Sequence, residues 1–283
     1  MSCPIPPRII QTARHRELTL KQRAFTANVR LFNPDYEWRF FDDVDADRFV
    51  ATEFPQFYRV FDSFLFPIQR YDFFRYLAVY RLGGFYFDLD VLLASELGEL
   101  RSNSCVFPFE GLTFSHLLRD YGMDWELGNY AFGAAAGHPF LAAVIDNCVR
   151  AQRDPAWVNP MMSGVPLFSR SVHHILYSTG PGLLSRTFAE NPTLASTVSV
   201  LFPDDVCDIQ SWNRFGRFGI HLMEGTWRPQ TSFLHRRLAL AWEALVAIKR
   251  HRESRRLGRT RNIPTAHVSD RSAPITKTAN VSH

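Results

Sequence analysis

Two aspartates, Asp88 and Asp90, end the stretch RLGGFYFDLDV at residues 81–91. The run Phe85–Leu89 predicts a buried strand, and alternate side chains of a strand share a face, so both carboxylates would emerge together at its carboxyl end. Ligands of open α/β sheets usually bind at that edge. Carboxylate oxygens there suit Mg²⁺ or Mn²⁺, which would bridge to phosphates. Solvated acids are the commoner explanation of an isolated Asp-x-Asp, so the neighbouring residues must decide.

A second acidic run, DDVDAD at residues 42–47, has the same Asp-x-Asp spacing. It follows a predicted strand and leads into a predicted helix, where acids complement the helix dipole. We therefore interpret this run as a helix start and assign it no ligand.

The helix predicted immediately before the first pair carries two charges on one face. Residues Ile68–Leu82 are apolar over most of the helix circumference, yet Asp72 and Arg75 lie three positions apart within them. Buried charges are costly unless they are paired or contact a ligand, and both explanations are open here. Gly83 is predicted to end this helix in the left-handed conformation, where other residues are strained, and to turn the chain sharply into the strand.

The rest of the chain alternates strand and helix patterns, which indicates an α/β fold. No linker or internal repeat is visible, so we predict one domain over residues 1–248 and a basic tail over 249–283, and we assign no pattern to Trp212–Arg228. The other predicted strands are Arg8–Thr12, Tyr36–Phe41, Cys105–Phe109, Tyr130–Ala135 and Val198–Phe202. The other predicted helices are Glu17–Arg30, two short ones between Val44 and Phe61, Pro139–Arg153, Leu167–Tyr177 and one from about Phe233.

The composition indicates a folded, soluble protein. Its 283 residues, 46% of them hydrophobic, can bury a sizeable core, and no apolar run reaches the about 18 residues of a membrane span. The start MSCPIPPRII lacks the apolar segment of a secretory signal. The four cysteines are widely spaced and form neither a zinc motif nor a disulfide framework, so we expect reduced thiols and a cytoplasmic location.

The segment QRYDFFRYLAVYRLGGFYFDLDV (69–91) resembles the sugar-binding DxD region of glycosyltransferase family 32. That family includes capsular-polysaccharide and α-mannosyltransferase-like members and is related to glucosylating toxins. Its pattern is an Asp-x-x-Arg helix, a Gly-Gly turn, aromatic residues and Asp-x-Asp. Similar landmarks cover roughly residues 5–230: PPRIIQT (6–12), NPDYEWRFFDD (33–43), GHPFL (137–141), TGPG (179–182) and HLMEGTW (221–227).

The resemblance implies a single nucleotide-binding domain of the glycosyltransferase-A type with a mixed central sheet. The residue pattern adds a C-terminal helix and the basic tail after it. It implies that Asp90 ligates Mn²⁺ or Mg²⁺, and that Asp88 contacts the ribose or the donor sugar and shares the metal. Asp72 and Arg75 would hold sugar hydroxyls, and Arg75 would also face a phosphate. His221 would complete the metal or diphosphate shell.

Further donor contacts are implied at both ends of the domain. Gln11 and Thr12 would meet the nucleotide at the end of the first strand, although family members commonly carry His where Gln11 stands. Asn129 would contact the sugar, and Trp227 would close the donor site beside His221. The implied reaction moves a hexose from a UDP- or GDP-sugar to a glycan or lipid-linked acceptor, depends on a divalent metal and retains the anomeric configuration.

Two other classes of protein fit part of the pattern. A phosphatase of the haloacid-dehalogenase type also places Asp-x-Asp after a hydrophobic strand, and VSVLFPDD (198–205) would supply its second acidic strand end. That family usually needs a lysine between the two motifs, yet no lysine occurs between Lys21 and Lys249. The other alternative is a carbohydrate- or nucleotide-binding module with a degenerate site.

The basic charge of the chain lies in its tail. Residues 249–283 contain nine Lys/Arg and two Asp/Glu, a balance of +7, so the net charge of +4 leaves −3 for the first 248 residues. The segment His235–Arg259 combines an apolar helical pattern with an arginine cluster, which suits an anionic membrane surface at the inner face of the membrane. A packing helix with a solvated basic end explains it equally well. No nucleic-acid-binding signature accompanies the tail, so we expect no nucleic acid partner.

Overall fold

The computed structural model describes residues 4–113, 115–206 and 208–224, together with positions 245, 248, 249 and 252. Trp227 lies outside these residues. The predicted C-terminal helix and the basic tail also lie outside them, except for these four separate positions. The domain boundary predicted at residue 248 therefore stays a prediction.

A mixed seven-stranded sheet forms the centre of the molecule, in the order β2-β1-β3-β7-β5-β6, and β8 pairs with β5 beside this path. Strands β1, β2 and β3 are parallel to one another, whereas β7 runs antiparallel to β3. The predicted α/β fold with a mixed central sheet is confirmed. The strands of this sheet are β1 Arg8–Thr12, β2 Glu37–Phe41, β3 Gly84–Phe87, β5 Cys105–Leu112, β6 Trp125–Leu127, β7 Ala131–Ala134 and β8 Ser199–Leu201, and a separate two-stranded sheet pairs β4 Val91–Leu93 with β9 Gly219–His221.

Helices cover both faces of the central sheet. On one face, Phe73 and Leu77 pack in a core cluster with Ile10 and Tyr86 of the strands. On the other face, Val29 packs with strand residues that include Phe85, Phe87 and Ile9. Among the described residues, no helix is long and apolar enough to cross a membrane. The helices are α1 Leu20–Phe32, α2 Asp43–Glu53, α3 Pro55–Ser63, α4 Pro67–Leu82, α5 His116–Asp120, α6 Pro139–Arg153, α7 Arg170–Ser178, α8 Pro181–Glu190 and α9 Pro192–Ala195.

The sequence-based elements are largely confirmed, with differences where the pattern was weakest. Helix α4 is buried over Asp72–Val79, as its apolar circumference predicts. Helix α8 is not among the predicted helices; it begins at Pro181, in a first helical position where the missing N–H costs nothing. The predicted helix Leu167–Tyr177 is a short 3₁₀ turn followed by α7. The strands β4, β6 and β9 have only three residues each, too short for a periodic signal.

The turn from α4 into β3 requires glycine at two successive positions. Gly83 has φ 65° and ψ 171°, so the predicted left-handed helical cap is wrong in ψ: the backbone is extended, in a region that essentially only glycine adopts. Gly84 has φ 114°, and a Cβ on it would lie 2.6 Å from the carbonyl oxygen of Arg8. The two glycines therefore let β3 begin immediately after the helix, against β1.

Candidate active site

Asp88 and Asp90 come together through a tight turn. Strand β3 ends at Phe87, so the predicted strand to Leu89 is too long and the two carboxylates do not share a strand face. The Val91 N–H donates to the Asp88 carbonyl at 3.2 Å, which closes the turn before β4 begins. Leu89 is only half-buried within this turn.

His221 reaches Asp90 through the small second sheet. Val91 pairs with His221 in the antiparallel β4–β9 ladder, which places the imidazole beside the residue before Val91. The His221 Nε2 lies 3.3 Å from Asp90 Oδ2. The ring also stacks on Tyr130, with centroids 4.3 Å apart. The backbone N–H of Glu224 donates to the same Asp90 oxygen at 3.1 Å, so the segment after His221 crosses over this carboxylate.

The residues Asp88, Asp90 and His221 offer ligand atoms that all lie within 4.8 Å of one another. Two carboxylate oxygens and one imidazole nitrogen suit Mn²⁺ or Mg²⁺ with open positions for water and phosphate oxygens. Burial would raise the pKa of Asp90, but the contact with His221 outweighs it and lowers the pKa. The carboxylate is therefore ionised at neutral pH, as a metal ligand must be, and the donor set fits the implied ion.

Arg75 of α4 connects the group formed by Asp88, Asp90 and His221 to the interior of the domain. Its guanidinium contacts both oxygens of Asp88, at 3.2 Å and 3.3 Å, and donates to the Asn129 carbonyl at 2.7 Å. It also lies over the ring of Tyr86, 4.6 Å from the centroid. Burial would lower the pKa of Arg75, but Asp88, Tyr86 and Asp72 raise it, so the buried cation keeps its proton.

Asp72 is held by a complete set of partners. Its Oδ1 accepts from Asn129 Nδ2 at 3.0 Å and pairs with Arg75 Nη2 at 3.3 Å. Its Oδ2 accepts from the Thr179 hydroxyl at 3.1 Å. Burial raises the pKa of Asp72 to about 6, because the proximity of Asp88 adds to the desolvation and Arg75 only partly offsets it. The carboxyl group is thus fixed in orientation but close to protonation at mildly acidic pH.

The structure places the two predicted nucleotide contacts of β1 on opposite faces of that strand. The Thr12 hydroxyl lies 3.1 Å from the Tyr86 hydroxyl, which in turn donates to Asp88 Oδ1 at 2.8 Å. Gln11 instead accepts from the Trp38 indole N–H at 3.0 Å, and its buried Nε2 has no partner among the described residues. Thr12 therefore joins the carboxylate network, whereas Gln11 lies outside it.

Sequence reasoning missed several residues that shape this site. Tyr86 lies two positions before Asp88, and this spacing could have indicated the contact between their side chains. Thr179 belongs to the TGPG landmark, which carried no assigned role. Tyr130 gave no signal, because its stacking on His221 depends on two segments that are distant in the chain.

The second acidic run does start a helix, since the Asp42 carboxylate accepts from the N–H of Asp45 at 2.9 Å.

The fold and the group of acids, arginine and histidine at the end of β3 can now be compared with known proteins. Residues 21–107 match the family model "Glycosyltransferase sugar-binding region containing DXD motif". The chain is 30% identical over 188 residues to Inositol phosphoceramide mannosyltransferase 3 of Schizosaccharomyces pombe, covering 65% of this chain and 45% of that protein. The resemblance to DxD glycosyltransferases is therefore confirmed.

Two further similarities extend this comparison. Mannosyl phosphorylinositol ceramide synthase SUR1 of Saccharomyces cerevisiae is 27% identical over 181 residues, 64% of this chain and 41% of that protein. A solved structure, PaToxG Glycosyltransferase, is weakly similar, with a TM-score of 0.40 and 15% identity over 66% of this chain and 69% of that one. The matched region spans less than half the length of the curated relatives.

Proposed function

We propose that this protein transfers a hexose from a nucleotide-sugar to a glycolipid acceptor, with dependence on a divalent metal and retention of the anomeric configuration. The observation that carries the proposal is the continuous contact chain from Asp72 through Arg75 to Asp88, next to Asp90 and His221. It joins a group suited to sugar hydroxyls to a group suited to a metal diphosphate.

The reaction breaks the bond between the sugar C1 and the phosphate oxygen and forms a bond between C1 and an acceptor oxygen. The acceptor hydroxyl proton passes to the leaving phosphate, so no separate base is required when attack occurs on the same face. Charge grows on the diphosphate as the bond breaks. A divalent ion, when bound, supplies the Lewis acid that stabilises this charge.

The chain's own residues supply binding and orientation. Asp88, Asp90 and His221 would hold the ion, and Asp90 is prepared for this role by its lowered pKa. Arg75 holds Asp88 in place through two contacts and offsets part of the rise that burial causes in the pKa of Asp88. Asp72 presents a carboxylate whose orientation is set by Asn129 and Thr179, as recognition of a sugar hydroxyl requires.

Mannose is the donor sugar that the relatives favour, because both are named for mannosyl transfer to phosphorylinositol ceramides. We accordingly propose mannose as the hexose and an inositol-phosphate lipid as the acceptor, and leave GDP and UDP as the nucleotides to be compared. The proposal includes a cytoplasmic location at the inner face of the membrane, which cell fractionation would test.

The sheet topology argues against the phosphatase alternative. In that alternative, residues 198–205 would supply a second acidic strand end to the same site, so their strand would have to end close to β3. Strand β8, which precedes Asp204 and Asp205, pairs with β5 and is separated from β3 by β7 and β5. The cation next to Asp88 is Arg75 from the preceding helix, which the phosphatase pattern does not explain.

The test measures donor-dependent thermal shift and donor hydrolysis with Mn²⁺, over GDP-mannose and a panel of UDP-sugars. We expect one donor to raise the melting temperature and to be hydrolysed only when Mn²⁺ is present. Asp90→Asn should abolish both effects, because it removes one of the charged ligand atoms. Asp47→Asn is the matched control: Asp47 also ends an Asp-x-Asp, but contacts Tyr58 and Arg70. Metal-dependent donor binding without hydrolysis or transfer would support the binding module, and failure of every donor would contradict the proposal.

A further inference from the structure

Helix α1 has two faces, and the described part of the chain covers only one of them. Thr26 and Val29 are buried against the core. On the opposite side, Leu20, Ala24, Ala27 and Leu31 are exposed. Their separations of four, three and four residues place them in one line along the helix. Leu20 is 77% exposed and Leu31 79%.

The ionised side chains of helix α1 itself, beside this apolar line, are all cations, and the one acid that pairs with them among the described residues is Glu224, on Lys21. Helix α1 contains Lys21, Arg23 and Arg30 and no acidic residue. Over residues 14–32 the chain has five Lys/Arg and one acid, Glu17, although the body as a whole is slightly acidic. The Arg30 guanidinium lies over the Trp38 ring, 4.8 Å from its centroid. An apolar line with basic margins is the composition of helices that lie in the surface of an anionic bilayer.

The amino end of α1 lies next to the proposed metal site. The Lys21 ammonium pairs with the Glu224 carboxylate, and the Glu224 N–H donates to Asp90. Between His221 and Glu224, the side chains of Leu222 and Met223 are 41% and 52% exposed. Exposed apolar side chains therefore lie both on α1 and on the segment that crosses over Asp90, and the Lys21–Glu224 pair joins these two segments.

We infer that the outer face of α1 docks on an anionic lipid surface. We define this membrane face by its apolar residues Leu20, Ala24, Ala27 and Leu31 and by its basic margin Lys21, Arg23 and Arg30. Leu20 and Leu31 stand about 16 Å apart along the helix axis, with alanines between them, so the face is flat and shallow. That shape suits insertion at the level of the headgroups, and docking there brings Asp90 close to a lipid acceptor.

Other occupants are disfavoured by charge. A second copy of this chain, paired through the same face, would bring the basic margins of two α1 helices together. The tail of residues 249–283 carries a balance of +7 and would be repelled as well. Anionic phospholipid headgroups complement this margin, and each Lys or Arg near such a surface adds to the attraction.

The test is flotation of the full chain with vesicles of phosphatidylcholine alone or with about 30% phosphatidylglycerol. We expect recovery with the anionic vesicles and loss of recovery as salt is raised. The double variant Leu20→Ser/Leu31→Ser should lower the apparent partition about fivefold or more, since two exposed apolar anchors are removed. Arg23→Glu, added to this double variant, should lower the apparent partition further.

The matched control is Leu65→Ser/Leu167→Ser, which removes two leucines that are 81% and 82% exposed but lie outside α1. Arg170→Glu, beside Leu167, is the charge control. Both controls should float like the wild type. Because all these positions are exposed, melting temperatures should stay close to the wild-type value, which separates lost docking from lost folding.

Equal recovery of Leu20→Ser/Leu31→Ser and the wild type would overturn the inference and leave the tail as the source of any membrane binding. Equal recovery combined with a change from dimer to monomer in light scattering would identify a second copy as the occupant. The inference rests on the proposed function only for the lipid acceptor. Hydrolysis of the soluble donor is measured separately and should be unchanged in Leu20→Ser/Leu31→Ser, so docking and activity can fail independently.

Discussion

At the scale of single residues, the site depends on how each buried charge is partnered. Asp72 alone would be costly in the interior, and its pKa of about 6 shows that burial still outweighs its partners in part. Thr179 and Asn129 each donate one hydrogen bond to it and fix its two oxygens. A residue that contacts no substrate can therefore control whether Asp72 is correctly placed.

Thr179→Val should reduce donor turnover while Thr179→Ser restores it. A hydrogen bond to a charged group contributes about 1.5–3 kcal/mol, so a loss of about 10- to 100-fold in kcat/KM is expected. Thr187→Val is the matched control, because Thr187 is an equally buried threonine whose hydroxyl donates to the Leu183 carbonyl rather than to a carboxylate. Steady-state kinetics with the soluble donor measure the effect, and equal losses in Thr179→Val and Thr187→Val would refute it.

At the scale of elements, the turn between α4 and β3 sets the distance from the charged helix face to the carboxylates. Gly83 and Gly84 have positive φ values that other residues rarely adopt. Because of this, only one residue separates the last residue of α4, Leu82, from the first residue of β3. Arg75 can then reach Asp88 across this short connection. The pairing of β4 with β9 adds His221 from the other end of the domain.

Gly84→Ala should destabilise the fold. The added Cβ would lie 2.6 Å from the Arg8 carbonyl oxygen and 2.8 Å from the Arg8 Cβ, at a φ that side chains rarely adopt. We expect a loss of about 2–4 kcal/mol in the free energy of unfolding. Gly98→Ala is the control, since no atom lies within 4 Å of the place its new methyl group would take and its φ is negative. Urea unfolding measures the free energy of unfolding of Gly84→Ala and of Gly98→Ala. Similar losses in the two variants would show that glycine is not required at position 84.

At the scale of the whole molecule, the site and the stability of the domain are linked through proton binding. Between the usual aspartate pKa of 3.8 and about 6, the folded chain holds a proton on Asp72 that the unfolded chain has released. The free energy of unfolding that this group contributes therefore rises as the pH falls through 6. The proposed contact of Asp72 with a sugar hydroxyl uses the ionised form, so we expect activity and this part of stability to change in opposite directions.

Asp72→Asn removes this titration, so the variant serves as the reference for the wild type at each pH. The melting temperature of the wild type minus that of Asp72→Asn should become more positive between pH 7.5 and pH 5, because only the wild type gains stability from protonation. Differential scanning calorimetry in the presence of EDTA measures the difference without bound metal. A difference that stays constant over this range would show that the pKa of Asp72 is not raised in the folded protein.

The amino-acid sequence by itself determined the local part of the site. The apolar circumference of residues 68–82, the two glycines and the acids at 88 and 90 are short-range patterns, and their resemblance to DxD glycosyltransferases was readable from them. The helix starting at the second acidic run was predictable for the same reason, since capping depends on neighbours three residues apart.

Only the tertiary structure decided which distant residues complete the site. His221 meets Asp90 across a ladder of three residues, and Thr179 meets Asp72 over a sequence separation of 107 residues. Such contacts depend on the packing of the whole sheet and leave no local period in the sequence. For the same reason, the strand parity that predicted Asp88 and Asp90 on one face failed. A turn closed by Asp88 and Val91, and held by the β4–β9 pairing, brings the two carboxylates together instead.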